Sequence, residues 1–291
     1  MGKKGKKAQA GKPKKLTPKD IGKRLNALAK NLEEELKGAD DLFAPLPPTE
    51  DCAICLVPLS RVASETLYRS CCGNSICWAC AVEHEESINK QNEEKSASKK
   101  ITVTCPFCRK PEATSIEEVL ARLQARCFQN DHNALVVMGE RYRDGDCGLP
   151  KDDLKALDCY IRAAELGAAP ACERIGTSYF EGNGVSADKE RAALFERIGA
   201  LRGDVVARNN IGCSEYYNLG NHEIGIRHLK IAAEAGLQES LDVLKKIYNA
   251  DGKMPGKEFI TKEYLESTYR ACHEAQMEVA SEERQKHRSE K

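Results

Sequence analysis

The chain has 291 residues, 31% charged and 5% aromatic, and its 45 Lys and Arg balance 45 Asp and Glu. No apolar run approaches the roughly 20 residues needed to cross a bilayer. The basic N-terminus has no apolar stretch behind it, so a secretory signal is not expected. A soluble, mainly α-helical protein of the cytoplasm or nucleus, with no membrane partner, is expected.

The zero balance hides an asymmetry. Residues 1–48 carry 12 Lys and Arg against six Asp and Glu. Most of the excess lies in "KKGKKAQAGKPKK", which has no apolar residue large enough to nucleate a core, so a disordered basic tail is expected. A short helix over residues 17–38 closes this first region. Its Ile21, Leu25, Leu28 and Leu32 share one face, and Thr17 or Asp20 is its cap. "FAPLPPTED" then reads as a proline-rich linker.

Residues 49–112 hold eight of the 14 cysteines. Their spacing is Cys52-x2-Cys55, x15, Cys71-Cys72, x4, Cys77-x2-Cys80, x24, Cys105-x2-Cys108. A C-x2-C loop turns both thiolates toward one tetrahedral metal, and two such loops close a structural zinc site. Eight candidate ligands fit two Zn²⁺ ions. Structural zinc contributes on the order of 10–16 kcal/mol in small peptides, ample for a module with little apolar core. A polar helix is expected after Cys80, followed by the loop "NEEKSASKK" and a strand "ITVT" leading into "CPFC". The other six cysteines, at 127, 147, 159, 172, 213 and 272, read as small buried apolar residues.

Residues 113–130 read as a linking helix. Thr114 with Glu117, or Ser115 with Glu118, fits a capping box, and Ile116, Val119, Leu120 and Leu123 form the apolar stripe. Residues 131–250 repeat themselves. Units ending at Gly167, Gly203 and Gly236 each read as helix, loop, helix and a glycine free to take the left-handed conformation. Gly139-x2-Tyr142-x2-Gly145 recurs as Gly176-x2-Tyr179-x2-Gly182. The third unit has Gly212-x7-Gly220, so its first loop is expected to differ. "SLDVLKKIYNADG" is a partial fourth unit. Such a period means an array of helical hairpins, none able to bury its apolar face alone. Residues 251–291 read as a polar helix over about 261–288, partly disordered toward its end.

"YFEGNGVSADKERA" and "KDDLKALDCYIRAAELG" resemble the Sel-1-like repeat, a relative of the tetratricopeptide repeat. That resemblance implies a right-handed superhelix that binds other proteins. The cysteine order resembles the RING finger, a small α+β module. In that family pairs one and three bind one zinc, and pairs two and four the other. Carried over, Cys52, Cys55, Cys77 and Cys80 form the first site. Cys105 and Cys108 belong to the second, with partners from residues 71–74. The commonest RING pattern makes Cys72 a ligand and puts Asn74, a poor zinc ligand, where His should stand. An all-cysteine variant fits Cys72-x4-Cys77 and makes Cys71 the third ligand, although that variant usually keeps one residue between the two. The favoured set is Cys71, Cys72, Cys105 and Cys108. His84 is the reserve ligand and is otherwise expected to face solvent.

The RING resemblance implies recruitment of a ubiquitin-conjugating enzyme charged with ubiquitin, without a covalent intermediate on this chain. It places Ile54 on the first zinc loop as an apolar knob, Pro106 on the second loop, and Arg109 as the basic residue bridging enzyme and ubiquitin. Trp78 departs from the family's usual contact tryptophan and is expected to pack inside. The combined expectation is a ubiquitin ligase holding two Zn²⁺, with a protein substrate or adaptor on the repeats. The alternative is a non-enzymatic, zinc-containing interaction scaffold. Lysines of the tail can touch phosphates or serve as a nuclear address. No aromatics are interleaved with them, so specific nucleic-acid binding is not expected.

Overall fold

The computed structural model describes residues 16–38, 42–62, 66–93, 101–250 and 253–280. The expected basic tail, the expected loop over 94–100 and residues 281–291 lie outside the described residues. The elements run α1 (Pro18–Lys37), β1 (Thr66–Tyr68), β2 (Ser75–Cys77), α2 (Trp78–Glu93), α3 (Ile116–Phe128), α4 (His132–Asp144), α5 (Asp153–Glu165), α6 (Ala169–Glu181), α7 (Lys189–Leu201), α8 (Val205–Cys213), α9 (His222–Glu234), α10 (Gln238–Tyr248) and α11 (Lys262–Ala280). No helix among the described residues is long and apolar enough to cross a membrane.

The repeats are helical hairpins, as the sequence implies: α4 packs on α5, α6 on α7 and α8 on α9. Asp131, Asp152, Asp188 and Asp204 start α4, α5, α7 and α8, each carboxylate accepting the N–H three residues on. That satisfies a donor with no partner inside the helix. Gly203 ends the second hairpin at φ +96°, where a side chain is strained. Gly139 serves close approach instead: a Cβ there would lie 2.4 Å from the Tyr160 ring. The third unit absorbs its extra residues as a π-helical turn over Ser214–Asn218, which keeps Tyr216 buried. The partial fourth unit is completed by α11. Leu241, Leu244, Ile247 and Cys272 share a core with Tyr216 and Leu229.

Helix α1 forms where expected, capped by the Thr17 hydroxyl, which accepts from Asp20 N–H at 3.2 Å. It does not belong to a tail. Ile21, Leu25, Leu28 and Leu32 are buried in the same core as α3 to α7, and α1 lies across α5 and α7. Arg202 grips Glu35 through Nε and Nη2 at 2.9 and 2.7 Å, and Arg24 pairs with Asp158. The proline-rich segment is no free linker either. The Phe43 ring lies 4.6 Å from that of His228, with the Arg227 guanidinium 4.0 Å from its centre. Leu46 packs with Val205, Ala232 and Leu237.

Among the described residues, the cysteine-rich module contains one antiparallel pair, with Thr66 opposite Cys77, Leu67 opposite Ile76 and Tyr68 opposite Ser75. The expected "ITVT" strand is absent; Thr104 makes only an isolated bridge with Pro111. In α3, Ser115 accepts from Glu118 N–H, while Glu118 accepts from Thr114 N–H, each at 3.2 Å. Ile116 is 52% exposed and lies off the buried stripe, which Leu123 carries. Of the six scattered cysteines, Cys127, Cys159, Cys172 and Cys272 are buried, whereas Cys147 and Cys213 are half-buried.

Candidate metal centre

Two loops of the module have one shape. In the first, Cys52 N–H donates to Val57 O and Leu56 N–H to Cys52 O, both at 2.8 Å. In the second, Cys105 N–H donates to Lys110 O at 2.8 Å and Arg109 N–H to Cys105 O at 3.0 Å. Leu56 and Arg109, each just after the second cysteine, take left-handed φ of 58° and 56°. Bridges Asp51–Pro58 and Thr104–Pro111 close the two loops. The turn is therefore set by backbone hydrogen bonding, and it presents both cysteine side chains to one side.

The eight sulphurs gather into two groups. Cys52, Cys55, Cys77 and Cys80 form one, and Cys71, Cys72, Cys105 and Cys108 the other; within each, the Sγ atoms lie within 4.8 Å of one another. Cys52 to Cys80 is 3.6 Å and Cys55 to Cys77 is 4.0 Å. Cys72 to Cys105 is 3.7 Å and Cys71 to Cys72 is 4.0 Å. Four sulphurs about 2.3 Å from a tetrahedral zinc stand about 3.8 Å apart, so both groups fit that ion. The N–H groups of Cys77 and Cys80 donate to the sulphurs of Cys52 and Cys77, each at 3.4 Å, which favours thiolate. The first group is buried; in the second, Cys71 and Cys72 are half-buried and Cys108 is exposed. The adjacent cysteines of the second pair are both within reach because they sit in the turn between β1 and β2.

As free thiols these groups crowd one another. Hydrogen bonding with Cys77, then burial, pushes Cys80 up; burial is the main cause for Cys55, Cys71 and Cys72. Burial acts the same way on Cys105, but hydrogen bonds from the N–H groups of Cys108 and Phe107, and from Cys71 and Cys72, together hold that thiol down to about 7. Four sulphurs this close ionise together only around a cation, which is the donor chemistry of a structural metal site.

The reserve ligand lies elsewhere. His84 is half-buried and joins neither cluster; its Nε2 donates to Thr104 O at 2.8 Å and ties α2 to the second loop. Both groups already hold four cysteines without Asn74, whose backbone carbonyl accepts from Arg69 N–H at 2.9 Å. Ile54 and Phe107, one from each loop, pack on the same small core with Ile76. Pro106 is half-buried and Arg109 exposed.

Trp78 is 54% exposed, against the expectation of a core residue. It opens α2, whose Cys80 and Ala81 face the module core. A residue two positions before Cys80 points to another side of the helix. Leu56, 56% exposed, adds a second apolar group to the module surface. Its place immediately after a C-x2-C pair was the signal available in the sequence.

The module is fastened to the repeats. Tyr68 OH donates to Asp131 Oδ2 at 2.7 Å, while the other oxygen of that carboxylate caps α4. Arg61 reaches Gly203 O at 3.3 Å and also donates to Pro47 O. Arg208 joins Leu42 O and Ala200 O at 2.6 and 2.8 Å. Segment 42–62 thus runs along the turns between hairpins.

Residues 132–167, 169–204 and 206–237 match the Sel1 repeat family, so the chain carries three Sel1 repeats. No curated protein matches the chain. Among solved structures, a Sel1 repeat protein from Oxalobacter formigenes is similar at 31% identity and TM-score 0.47, over 55% of this chain and 65% of that one. c5321, a protective antigen of uropathogenic Escherichia coli with an SLR fold, is similar at 22% identity and TM-score 0.46, over 57% of this chain and 34% of that one. The immunity protein PA5088 of Pseudomonas aeruginosa is similar at 13% identity and TM-score 0.34, over 70% and 84% of the two chains.

Proposed function

We propose that this chain is a protein-interaction scaffold whose cysteine module recruits a ubiquitin-conjugating enzyme, making the whole a RING-type ubiquitin ligase of the cytoplasm or nucleus. The scaffold half rests on the Sel1 repeats, a type that generally mediates contact between proteins. The ligase half rests on one observation, the interleaving of two four-cysteine groups along the chain. Zinc, when bound, would supply only cross-links between distant loops.

This chain's own residues do the rest. The two loops stand side by side on one core through Ile54 and Phe107, so a visiting enzyme meets a preformed surface. Ile54 and Pro106 offer apolar contact, joined by the exposed Leu56 and Trp78. Arg109 stands clear of the core, with a planar fork of donors for carbonyls on both enzyme and ubiquitin. The gain is in position: the thioester's range of conformations narrows toward one a substrate lysine can attack.

The family match covers the repeats alone, which favours a second reading, a scaffold without transfer activity. An autoubiquitination assay over a panel of conjugating enzymes separates the two. Chains are expected with the wild type and should be lost in Cys105→Ser, Ile54→Ala and Arg109→Ala. Silence with every conjugating enzyme assigns the scaffold. Full activity in both Ile54→Ala and Arg109→Ala defeats the contact mechanism.

A further inference from the structure

We infer that the cleft between the cysteine module and the first two repeats binds a protein segment in which a carboxylate is flanked by aliphatic side chains. The inference rests on the ligase reading and names the substrate class for it. The cleft has a volume of about 610 Å³, within the range of roughly 300–1,000 Å³ typical of ligand sites, which favour domain interfaces. β1, Arg61, α3, α4 and the turn at Gly203 and Asp204 all contribute to its lining. Leu120 of α3 and Val136 and Val137 of α4 are only half-buried, although they pack on the main core. Their remaining apolar surface lines the cleft.

The charges of the lining are almost all spent. Arg174 holds Glu140 at 2.9 Å, Arg141 pairs with Asp146 and Arg202 with Glu35. Asp204 caps α8, accepting from Ala207 N–H at 2.7 Å. Glu50 is exposed at the rim. Arg61 differs. It is half-buried, and its partners among the described residues are the carbonyls of Pro47 and Gly203, not a carboxylate.

A partly desolvated guanidinium without an anion is costly, and a ligand carboxylate offsets that cost. Both carbonyls fix the fork in place, and donors of the guanidinium remain for a ligand. Apolar lining beside such a cation favours a carboxylate flanked by aliphatic side chains. β1 pairs with β2, which ends at Cys77 of the first metal group. A segment held here is therefore positioned on the body that carries Ile54 and Arg109.

The test uses the full chain loaded with zinc and three sets of end-blocked heptapeptides. All are aliphatic at alternate positions; the intervening positions carry Asp and Glu, Asn and Gln, or Lys. Binding is read by anisotropy, and contact by methyl shifts at Leu120, Val136 and Val137. The acidic set is expected to bind about tenfold tighter than the amide set, to shift those methyls, and to lose its advantage in Arg61→Gln. Because Arg61 also fastens the module, Val137→Asp is measured beside it; it leaves the arginine's bonds alone and should abolish acidic binding. Equal binding of the amide or lysine set, or unchanged acidic binding in Val137→Asp, overturns the inference. Autoubiquitination of the same samples is the separate readout. Activity without acidic-peptide binding sinks the cleft alone, and acidic-peptide binding without activity sinks only the ligase reading.

Discussion

Glu196→Gln should stabilise the repeats in alkaline solution and do little in acid. Glu196, on α7, is buried against Gly176 of α6, where a Cβ would lie 3.0 Å from its Cγ. Burial, reinforced by the negative charge of buried Glu173, raises its carboxyl from the ordinary 4.5 to about 7; a hydrogen bond with Asn210 opposes this only in part. At about 1.4 kcal/mol for each pH unit, ionising it in the folded state costs about 3 kcal/mol. The folded value lies above the unfolded one. The stability this group contributes is therefore complete below pH 4.5 and lost as pH rises through about 7. Neutral glutamine keeps the shape and never ionises. Asp204, raised by burial to about 6, and His228, lowered by burial to about 4, also slope with pH, but both proteins share them and they cancel in the difference. Urea unfolding of the zinc-loaded chain, followed by helical circular dichroism near pH 5 and near pH 8, reads the effect. The variant's advantage should grow by about 2.5 kcal/mol between the two. Parallel pH profiles, or a variant weaker at both ends, refute the reasoning.

Other perturbations test the assembly. Leu25→Ala removes a fully buried side chain from α1 and should lower stability by about 2–5 kcal/mol in the same urea experiment; an effect of a few tenths would return α1 to the tail. Gly203→Ala combines φ +96° with a Cβ 2.8 Å from Arg61 and 2.9 Å from Pro47. It should cost more than Gly167→Ala, which has φ +92° and open space around its Cβ, and should expose segment 42–62 to limited proteolysis. Equal behaviour of the two variants would mean that the module does not press on that turn. Elemental analysis should find two zinc equivalents per chain, falling to one in Cys105→Ser because the buried Cys52 group is untouched. Two equivalents retained in that variant would argue against Cys105 as a ligand.

Much of the repeat architecture was legible because its signals are local. Each hairpin closes on a glycine at positive φ, a conformation tied to that one position at the end of a helix. The C-x2-C loops were legible for the same reason: each is a single hydrogen-bonded turn. Which pairs share a metal was not written in the spacing and came from a family resemblance; the fold brings the pairs together by placing β2 and α2 between the two loops. The extra residues of the third unit were visible, but their absorption as a π turn depended on keeping Tyr216 buried.

The rest was decided by contacts across long stretches of chain. The stripe on α1 said that it needed a partner, not which one; Arg24 meets Asp158 134 residues away, and Glu35 meets Arg202 167 away. Phe43 and Leu46 read as linker because their partners lie on the third hairpin and the turn after it. Trp78 read as core because it does not stand where the resembled family keeps its contact tryptophan, yet the helix that carries Cys80 inward turns it out. Sequence alone thus determined where hairpins and cysteine turns begin and end, since backbone hydrogen bonds span only a few residues. The tertiary structure decided what each exposed face meets, because burial depends on whichever surface arrives to cover it.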